Sequence, residues 1–95
     1  MLTSHSMGFR ALISISTSLR AAGKPREAMA LIEQRLPGLE VSCLATAYRE
    51  LVYAGLECGD RSKAAAFARK LHEFDPGNQL ARAFLGEGSG PGNGA

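Results

Sequence analysis

Apolar residues recur at three- and four-residue spacing near the start of the chain. Over residues 8–22 they include Leu12, Ile15 and Leu19, and this spacing predicts a helix with one buried face. The β-branched and serine-rich run at residues 13–17 alternates as a strand does, but for only five residues. Because the helical period continues beyond that run, we interpret the whole segment as a helix.

Four more segments follow the same helical period. The predicted helices cover residues 25–36, 42–58, about 62–74 and 79–85. The apolar positions that we expect to face the core are Ala28, Leu31, Ile32 and Leu36, then Leu44, Tyr48, Leu51, Val52 and Gly55, then Ala64, Phe67, Ala68 and Leu71, and finally Leu80, Ala83 and Phe84. The pattern therefore predicts an all-α fold.

Residues with special backbone or capping properties separate these helices. Gly23 follows the first helix, where a left-handed residue is favoured, and Pro25 suits the first turn of the second. Ser, Asp and Asn side chains favour the position that precedes a helix, because their oxygens accept a backbone hydrogen bond there. The residues that we expect to act in this way are Ser42 for the third helix, Asp60 or Ser62 for the fourth, and Asn78 for the fifth.

One turn occurs twice in the chain. Residues 23–28 read Gly-Lys-Pro-Arg-Glu-Ala and residues 59–64 read Gly-Asp-Arg-Ser-Lys-Ala, so that the leading glycine and the closing alanine recur 36 residues apart. Each copy lies between two predicted helices. The sequence therefore predicts two antiparallel helix-turn-helix units, at about residues 9–41 and 42–78, followed by a capping helix at residues 79–85.

Length and composition limit the class of protein. The 95 residues make one small domain. A net charge of +2, with no run of basic residues, does not indicate a nucleic-acid or membrane partner, and 6% aromatic content disfavours base stacking. We expect residues 1–7 to be flexible and the glycine-rich residues 86–95 to be disordered. With no evident secretory signal and no apolar run of about 20 residues, we expect a cytoplasmic protein.

Cysteine and histidine usage gives little support to catalysis or metal binding. On one helix, Cys43 and Cys58 would lie about 22 Å apart, whereas a disulfide needs Cα atoms within about 7 Å, so we expect reduced thiols. His5 and His72 lie far apart in sequence and have no partner at metal-ligand spacing. No phosphate-binding loop or nucleophile motif is present. We therefore expect a protein that is not an enzyme and that needs no cofactor or metal.

The duplicated unit resembles the tetratricopeptide repeat. That family places a large aromatic residue, Leu, a small residue and Tyr on the first helix, and Ala, Phe and a closing Pro on the second. In the second unit the good matches are Tyr48, Leu51, Ala64 and Pro76, together with Gly59 and Asp60 at the turn. In the first unit the matches are Leu12, Ile15, Ser16, Leu19, Ala28 and Ile32. The resemblance extends over about residues 9–85.

The sequence also departs from the family pattern. The offset of 36 residues exceeds the family's period of about 34. Val52, Gly55 and Ala68 differ from the usual residues, and Glu40 stands where the closing proline of the first unit is expected. The resemblance implies a short right-handed superhelix of about two and a half repeats.

The resemblance also implies a function in protein binding. In tetratricopeptide arrays the first helix of each pair lines a concave groove that holds a helical or extended segment of a partner. Transferred to this chain, the groove positions are Arg10, Ile13, Thr17, Arg20, Thr46, Arg49, Tyr53 and Leu56, with Leu80 and Ala83 extending the line. Some members clamp a C-terminal carboxylate with Lys and Asn, but Ile13 and Thr17 occupy the corresponding positions here. We therefore expect a protein-binding adaptor or chaperone.

Two alternatives remain open from the sequence. One is a scaffold that self-associates through Phe9, Ile13 and other residues at the open end, with the homo-oligomer as the functional form. The size and architecture of the chain are also similar to those of the small chaperones of bacterial type III secretion, although no sequence motif supports that similarity.

Overall fold

The computed structural model describes residues 8–85, and within that range every regular element is helical. The helices are α1 (Phe9–Ala21), α2 (Pro25–Arg35), α3 (Val41–Glu57), α4 (Arg61–Phe74) and α5 (residues 79–85), with a 3₁₀ turn at Leu36–Gly38 after α2. The predicted all-α fold is confirmed, and the serine-rich run inside α1 is helical. The predictions for residues 1–7 and 86–95 concern positions outside the described residues.

The first four helices form two hairpins. Helix α1 packs against α2 and α3 packs against α4, while α3 also lies against both α1 and α2. Helix α3 is therefore the central element, covered on two sides, whereas α1 is covered on one. No helix within residues 8–85 is long and apolar enough to cross a membrane.

The two hairpin turns have the same backbone geometry. Gly23 and Gly59 both adopt φ of 81°, which glycine tolerates because it lacks Cβ. The amide of Lys24 donates to the carbonyl of Leu19 at 2.8 Å, and the amide of Asp60 donates to the carbonyl of Gly55 at 2.9 Å. With the shorter-range bonds made by the two glycine amides, each turn is a Schellman motif.

Two of the predicted helix caps are confirmed and one is wrong. Asp60 Oδ1 accepts the amide of Lys63 at 3.0 Å, and Asn78 Oδ1 accepts the amide of Ala81 at 3.1 Å. The fourth-helix cap is thus Asp60, not Ser62. Helix α3 begins one residue earlier than expected, so that Ser42 lies inside it, and Glu40 precedes it without a side-chain capping bond.

The core lies between the two hairpins and extends to α5. Its apolar members are Leu12, Ala28, Met29, Ile32, Ala47, Leu51, Val52, Ala54, Ala64, Phe67, Ala68, Leu71 and Ala81. Most positions expected to face the core do so at least in part. Ile15 does not: it is 42% exposed, because α1 has no packed helix on that side. Leu31, Leu36, Leu80 and Phe84 are only partly buried, and Ala83 is exposed.

The closest approach of the second hairpin is at Gly55. A Cβ atom built on Gly55 would lie 3.1 Å from the Cβ and 3.2 Å from the Cα and N atoms of Ala64. Both residues are fully or almost fully buried. Glycine at this position therefore lets α3 and α4 cross closely.

Candidate partner-binding surface

The predicted groove residues lie along one face of α1 and α3, which we call the α1–α3 face. It is defined by Arg10, Ile13, Thr17, Arg20, Thr46, Arg49, Tyr53 and Leu56. Four of these side chains are exposed, namely Arg10, Thr17, Arg49 and Tyr53, and the other four are partly buried. The face is formed because α1 and α3 pack side by side, so residues three or four apart on each helix point the same way.

A depression of about 320 Å³ occupies one part of the α1–α3 face. Its lining brings together three predicted residues, Arg10, Ile13 and Thr46, with Phe9 and Ser14. Phe9 and Ile13 are partly buried against the core. The depression therefore offers an apolar floor with one guanidinium beside it.

A second depression, of about 250 Å³, lies toward the other end of α1. It is lined by Thr17, Arg20, Ala21 and Glu57. Two predicted residues meet here, but the lining is more polar than in the first depression because it contains an arginine and a carboxylate.

Arg20 connects the two hairpins through an ion-pair network. Its Nη1 donates to Glu57 Oε2 at 2.7 Å, and its Nη2 lies 3.4 Å from Glu50 Oε1. The guanidinium carbon lies 5.2 Å from the centre of the Tyr53 ring, within the range of a cation–π contact. Arg20 is thus held by residues of the chain itself and stabilises the packing of α1 on α3.

Glu50 is the most buried charged residue of this network. It is only 5% exposed, and its Oε1 and the Nε of Arg20 are buried without a hydrogen-bond partner among the described residues. A carboxylate in that environment needs a nearby cation, and Arg20 supplies it. Glu50 and Glu57 were missed by the sequence analysis, although with Tyr53 they recur along α3 at the spacing of a single helix face.

Arg10 and Arg49 differ from Arg20 in having no charged neighbour. Both are exposed, and among residues 8–85 neither forms an ion pair or a side-chain hydrogen bond. Arg10 lines the first depression, and Arg49 follows Thr46 of that depression by one turn of α3. The part of the face around Phe9, Ile13 and Thr46 therefore has a positive charge that the described residues do not neutralise.

The remaining predicted positions are not gathered into these depressions. Leu56 packs partly against the core, as does Leu80 of α5. Ala83 is exposed but lines none of the depressions described above. The exposed members of the predicted set are Arg10, Thr17, Arg49 and Tyr53.

The opposite side of the molecule, formed by α2 and α4, has a different charge arrangement. Lys63 Nζ lies 3.3 Å from Glu33 Oε2, joining the two helices, and Arg61 stacks on the ring of Phe84 at 5.3 Å. A depression there is lined mainly by polar and charged residues, including Arg26, Glu33, Asp60 and Lys63. It lacks the aromatic floor that Phe9 provides on the α1–α3 face.

The side chains on the α1–α3 face are of types that form ion pairs, hydrogen bonds and apolar contacts. Within residues 8–85, no three His, Cys, Asp or Glu side chains lie close enough together to hold a metal ion. His72 is exposed on α4, away from this face, and His5 lies outside the described residues. Cys43 and Cys58 are both free and partly buried.

Comparison with known proteins leaves the resemblance of the sequence to the tetratricopeptide repeat as a prediction. No family model matches the chain, and neither the curated proteins nor the solved structures include a match to it.

Proposed function

We propose that this chain is a non-catalytic protein-interaction module whose α1–α3 face holds a helical or extended segment of a partner protein. In this proposal the two hairpins are tetratricopeptide-like units of a short superhelix, and α5 begins a third unit that acts as a cap. The observation that carries the proposal is the α1–α3 face itself, where Arg10 lines an apolar depression and Arg49 and Tyr53 are exposed further along α3.

The repeated turn supports the architecture in this proposal. The Schellman motifs at Gly23 and Gly59 recur 36 residues apart, and Ala28 and Ala64 are fully buried at the same offset. Helix α3 covers both helices of the first hairpin. Arrays of stacked hairpins are built in this way, because each hairpin buries the open side of its neighbour.

The residue types on the face support binding. Tyr and Arg are enriched among residues that contribute most to protein interfaces, and here Tyr53 is 37% exposed beside Arg49 on α3. An exposed aromatic ring in an interface gains more from burial than a small polar side chain does. The face therefore has the composition of a binding site for a peptide segment.

Free thiols suit a reducing compartment. Cys43 and Cys58 are both unpaired in the structure. On this basis we propose that the module acts in the cytoplasm.

Selection from a displayed library of random twelve-residue peptides tests the proposed function. We expect the full chain to enrich a set of related peptides, and synthetic copies of them to bind in fluorescence anisotropy. Replacing Arg49 and Tyr53 together by Ala should weaken that binding by about tenfold or more, because each belongs to a residue type that forms interface hot spots.

A matched control separates loss of binding from loss of folding. Replacing Arg69 and Phe74 by Ala removes one arginine and one aromatic residue that is 40% exposed, but from α4. We expect the control to bind as the unchanged chain does and both variants to keep their helix content in circular dichroism. Failure to enrich any peptide, or equal loss in the two variants, contradicts the proposal.

Self-association is a second candidate function, and the first depression is the observation that favours it. Phe9 and Ile13 line an open cavity of about 320 Å³, which a side chain of a second copy could fill. Sedimentation velocity at several concentrations tests this function. A dimeric fraction that increases with protein concentration and is lost on Ile13→Asp substitution supports self-association. A monomer at every concentration contradicts it.

A further inference from the structure

The charges on α1 and α3 indicate what kind of segment the α1–α3 face binds. The charged residues of α1 are Arg10 and Arg20. Those of α3 are Arg49, Glu50 and Glu57. Both glutamates are paired with the same residue, Arg20. No carboxylate of either helix is left for Arg10 or Arg49, so their charges remain available to a partner.

The two available arginines lie close to the apolar depression. Arg10 is part of its lining, and Thr46, on the facing helix, is also part of it. Arg49 lies three residues after Thr46, which corresponds to a rise of about 4.5 Å along α3. The face therefore presents an apolar cavity between α1 and α3 with a guanidinium on each helix.

We propose that the partner segment is acidic and amphipathic: an apolar side chain enters the depression lined by Phe9, Ile13 and Thr46, while side-chain carboxylates pair with Arg10 and Arg49. This inference rests on the proposed function and specifies its ligand. A guanidinium binds a carboxylate with two parallel hydrogen bonds, which gives such pairs both strength and a defined geometry. A basic segment is disfavoured on this face, because its charges would approach two cations that no neighbouring carboxylate neutralises.

The ligand groups are side-chain carboxylates within the segment, not a terminal carboxylate. The positive charges lie on two different helices: Arg10 of α1 lines the cavity, and Arg49 follows the lining residue Thr46 by three positions on α3. A segment that crosses the face can therefore place two carboxylates, one near each arginine. Peptides that are amidated at the C-terminus should bind as well as their free-acid forms.

Charge reversal on the full chain tests the inference. The peptides enriched by the display experiment are synthesised in amidated form with a fluorescent label, and their affinities are measured by anisotropy at about 0.15 M salt, where the Debye length is about 8 Å. We expect the enriched peptides to carry a net negative charge with at least one large apolar residue. The Arg10→Glu and Arg49→Glu double variant should bind them about tenfold more weakly or worse.

A control of equal charge makes the comparison specific. The Arg26→Glu and Arg69→Glu double variant changes the net charge by the same amount, at exposed positions of α2 and α4. We expect this control to lose no more than about threefold in affinity, since distant exposed charges are screened by salt. Peptides in which each Glu is replaced by Lys should bind the Arg10→Glu and Arg49→Glu double variant. The same peptides should not bind the unchanged chain.

The outcomes distinguish failure of this inference from failure of the proposed function. The enriched peptides could be neutral or basic, with binding that is lost in the Arg49 and Tyr53 variant but not on charge reversal. That result would leave the proposed function intact and overturn the inference that the ligand is acidic. If peptides lose affinity when their C-terminus is amidated, the inference that the ligand groups are side-chain carboxylates is overturned. A labelled single-stranded oligonucleotide that displaces the peptide with equal or higher affinity would assign Arg10 and Arg49 to phosphate binding. Absence of any enriched peptide would contradict both proposals.

Discussion

Ile15 and Leu51 occupy equivalent places in the two hairpins, 36 residues apart. Leu51 is fully buried, whereas Ile15 is 42% exposed. The neighbouring position shows the same difference, with buried Glu50 in the second hairpin and exposed Ser14 in the first. The difference arises because α3 lies between α4 and the first hairpin and so packs against three helices, while α1 packs against α2 and α3 only among the major contacts. Equivalent positions in sequence thus have different energetic roles.

The turns of the two hairpins differ less in shape than in the side chains that support them. Both glycines have φ of 81°, but the residue that follows is Lys24 in the first turn and Asp60 in the second. Asp60 caps α4 through its carboxylate, while Lys24 makes no capping bond with its side chain. The second hairpin therefore has the more complete set of stabilising interactions, and the following substitutions test that comparison.

The largest effect is expected at Arg20, where the two hairpins meet. Arg20→Ala should lower the free energy of unfolding by about 3–5 kcal/mol, because it leaves the buried carboxylate of Glu50 without its cation. Urea denaturation followed by circular dichroism measures this change. Adding Glu50→Gln to the variant should recover part of the loss, since no buried charge then remains.

An exposed ion pair provides the control for Arg20. Lys63→Ala removes the pair between α4 and Glu33 of α2, in which both side chains are more than a third exposed. We expect this substitution to lower the free energy of unfolding by at most about 1 kcal/mol. If Arg20→Ala and Lys63→Ala lower the free energy of unfolding equally, the burial of Glu50 does not make the ion pairs of Arg20 more stabilising than an exposed ion pair.

Matched truncations compare the two hairpins directly. Leu51→Ala should cost about 2–4 kcal/mol, because it opens a cavity in the core. Ile15→Ala should cost about 1 kcal/mol or less, since the side chain is already partly in water and alanine favours the helix. The midpoints of urea unfolding measure both. Similar losses at the two positions would mean that the outer side of α1 is covered in solution.

The helices could be predicted from the sequence to within a few residues, because glycine, proline and capping residues interrupt a regular apolar period. The exposure of Ile15 could not be predicted, since periodicity marks a face but does not show whether another element covers it. Ala47, Ala54 and Ala81 were missed for a related reason. Alanine is common both inside and outside, so its position alone does not predict burial.

The candidate site shows a similar limit. The eight positions of the α1–α3 face followed from the family resemblance, and the structure brings three of them, Arg10, Ile13 and Thr46, together in one depression. The pairing of Arg20 with Glu50 and Glu57 could not be predicted, because the residues are 30 and 37 positions apart in sequence. Knowing that pair requires knowing that α1 and α3 are neighbours, and it is this pair that leaves Arg10 and Arg49 as the available cations.

The close contact between α3 and α4 should make Ala64 intolerant of a larger side chain. Ala64→Leu inserts three carbon atoms where Gly55 already lies near contact distance, so we expect a loss of about 1–3 kcal/mol from overpacking. Ala66→Leu is the matched control, because Ala66 is exposed on the same helix. Stability that is equal in the two variants would show that the helices separate at little cost.

The smallest effects are expected from exchanging the capping residues of the two turns. Asp60→Ala should cost about 1 kcal/mol, because it removes the bond to the amide of Lys63. Lys24→Asn should raise stability by about 0.5–1 kcal/mol, since Asn favours this position and the amide of Glu27 has the place in α2 that Lys63 has in α4. Lys24→Ala, which removes the same lysine without adding an acceptor, is the control for the second change. Thermal and urea unfolding of the three variants should rank Lys24→Asn above the unchanged chain and Asp60→Ala below it. If Lys24→Asn and Lys24→Ala are equally stable, the first turn does not accept a cap in the way that the second does, and the likeness of the two turns is limited to their backbone.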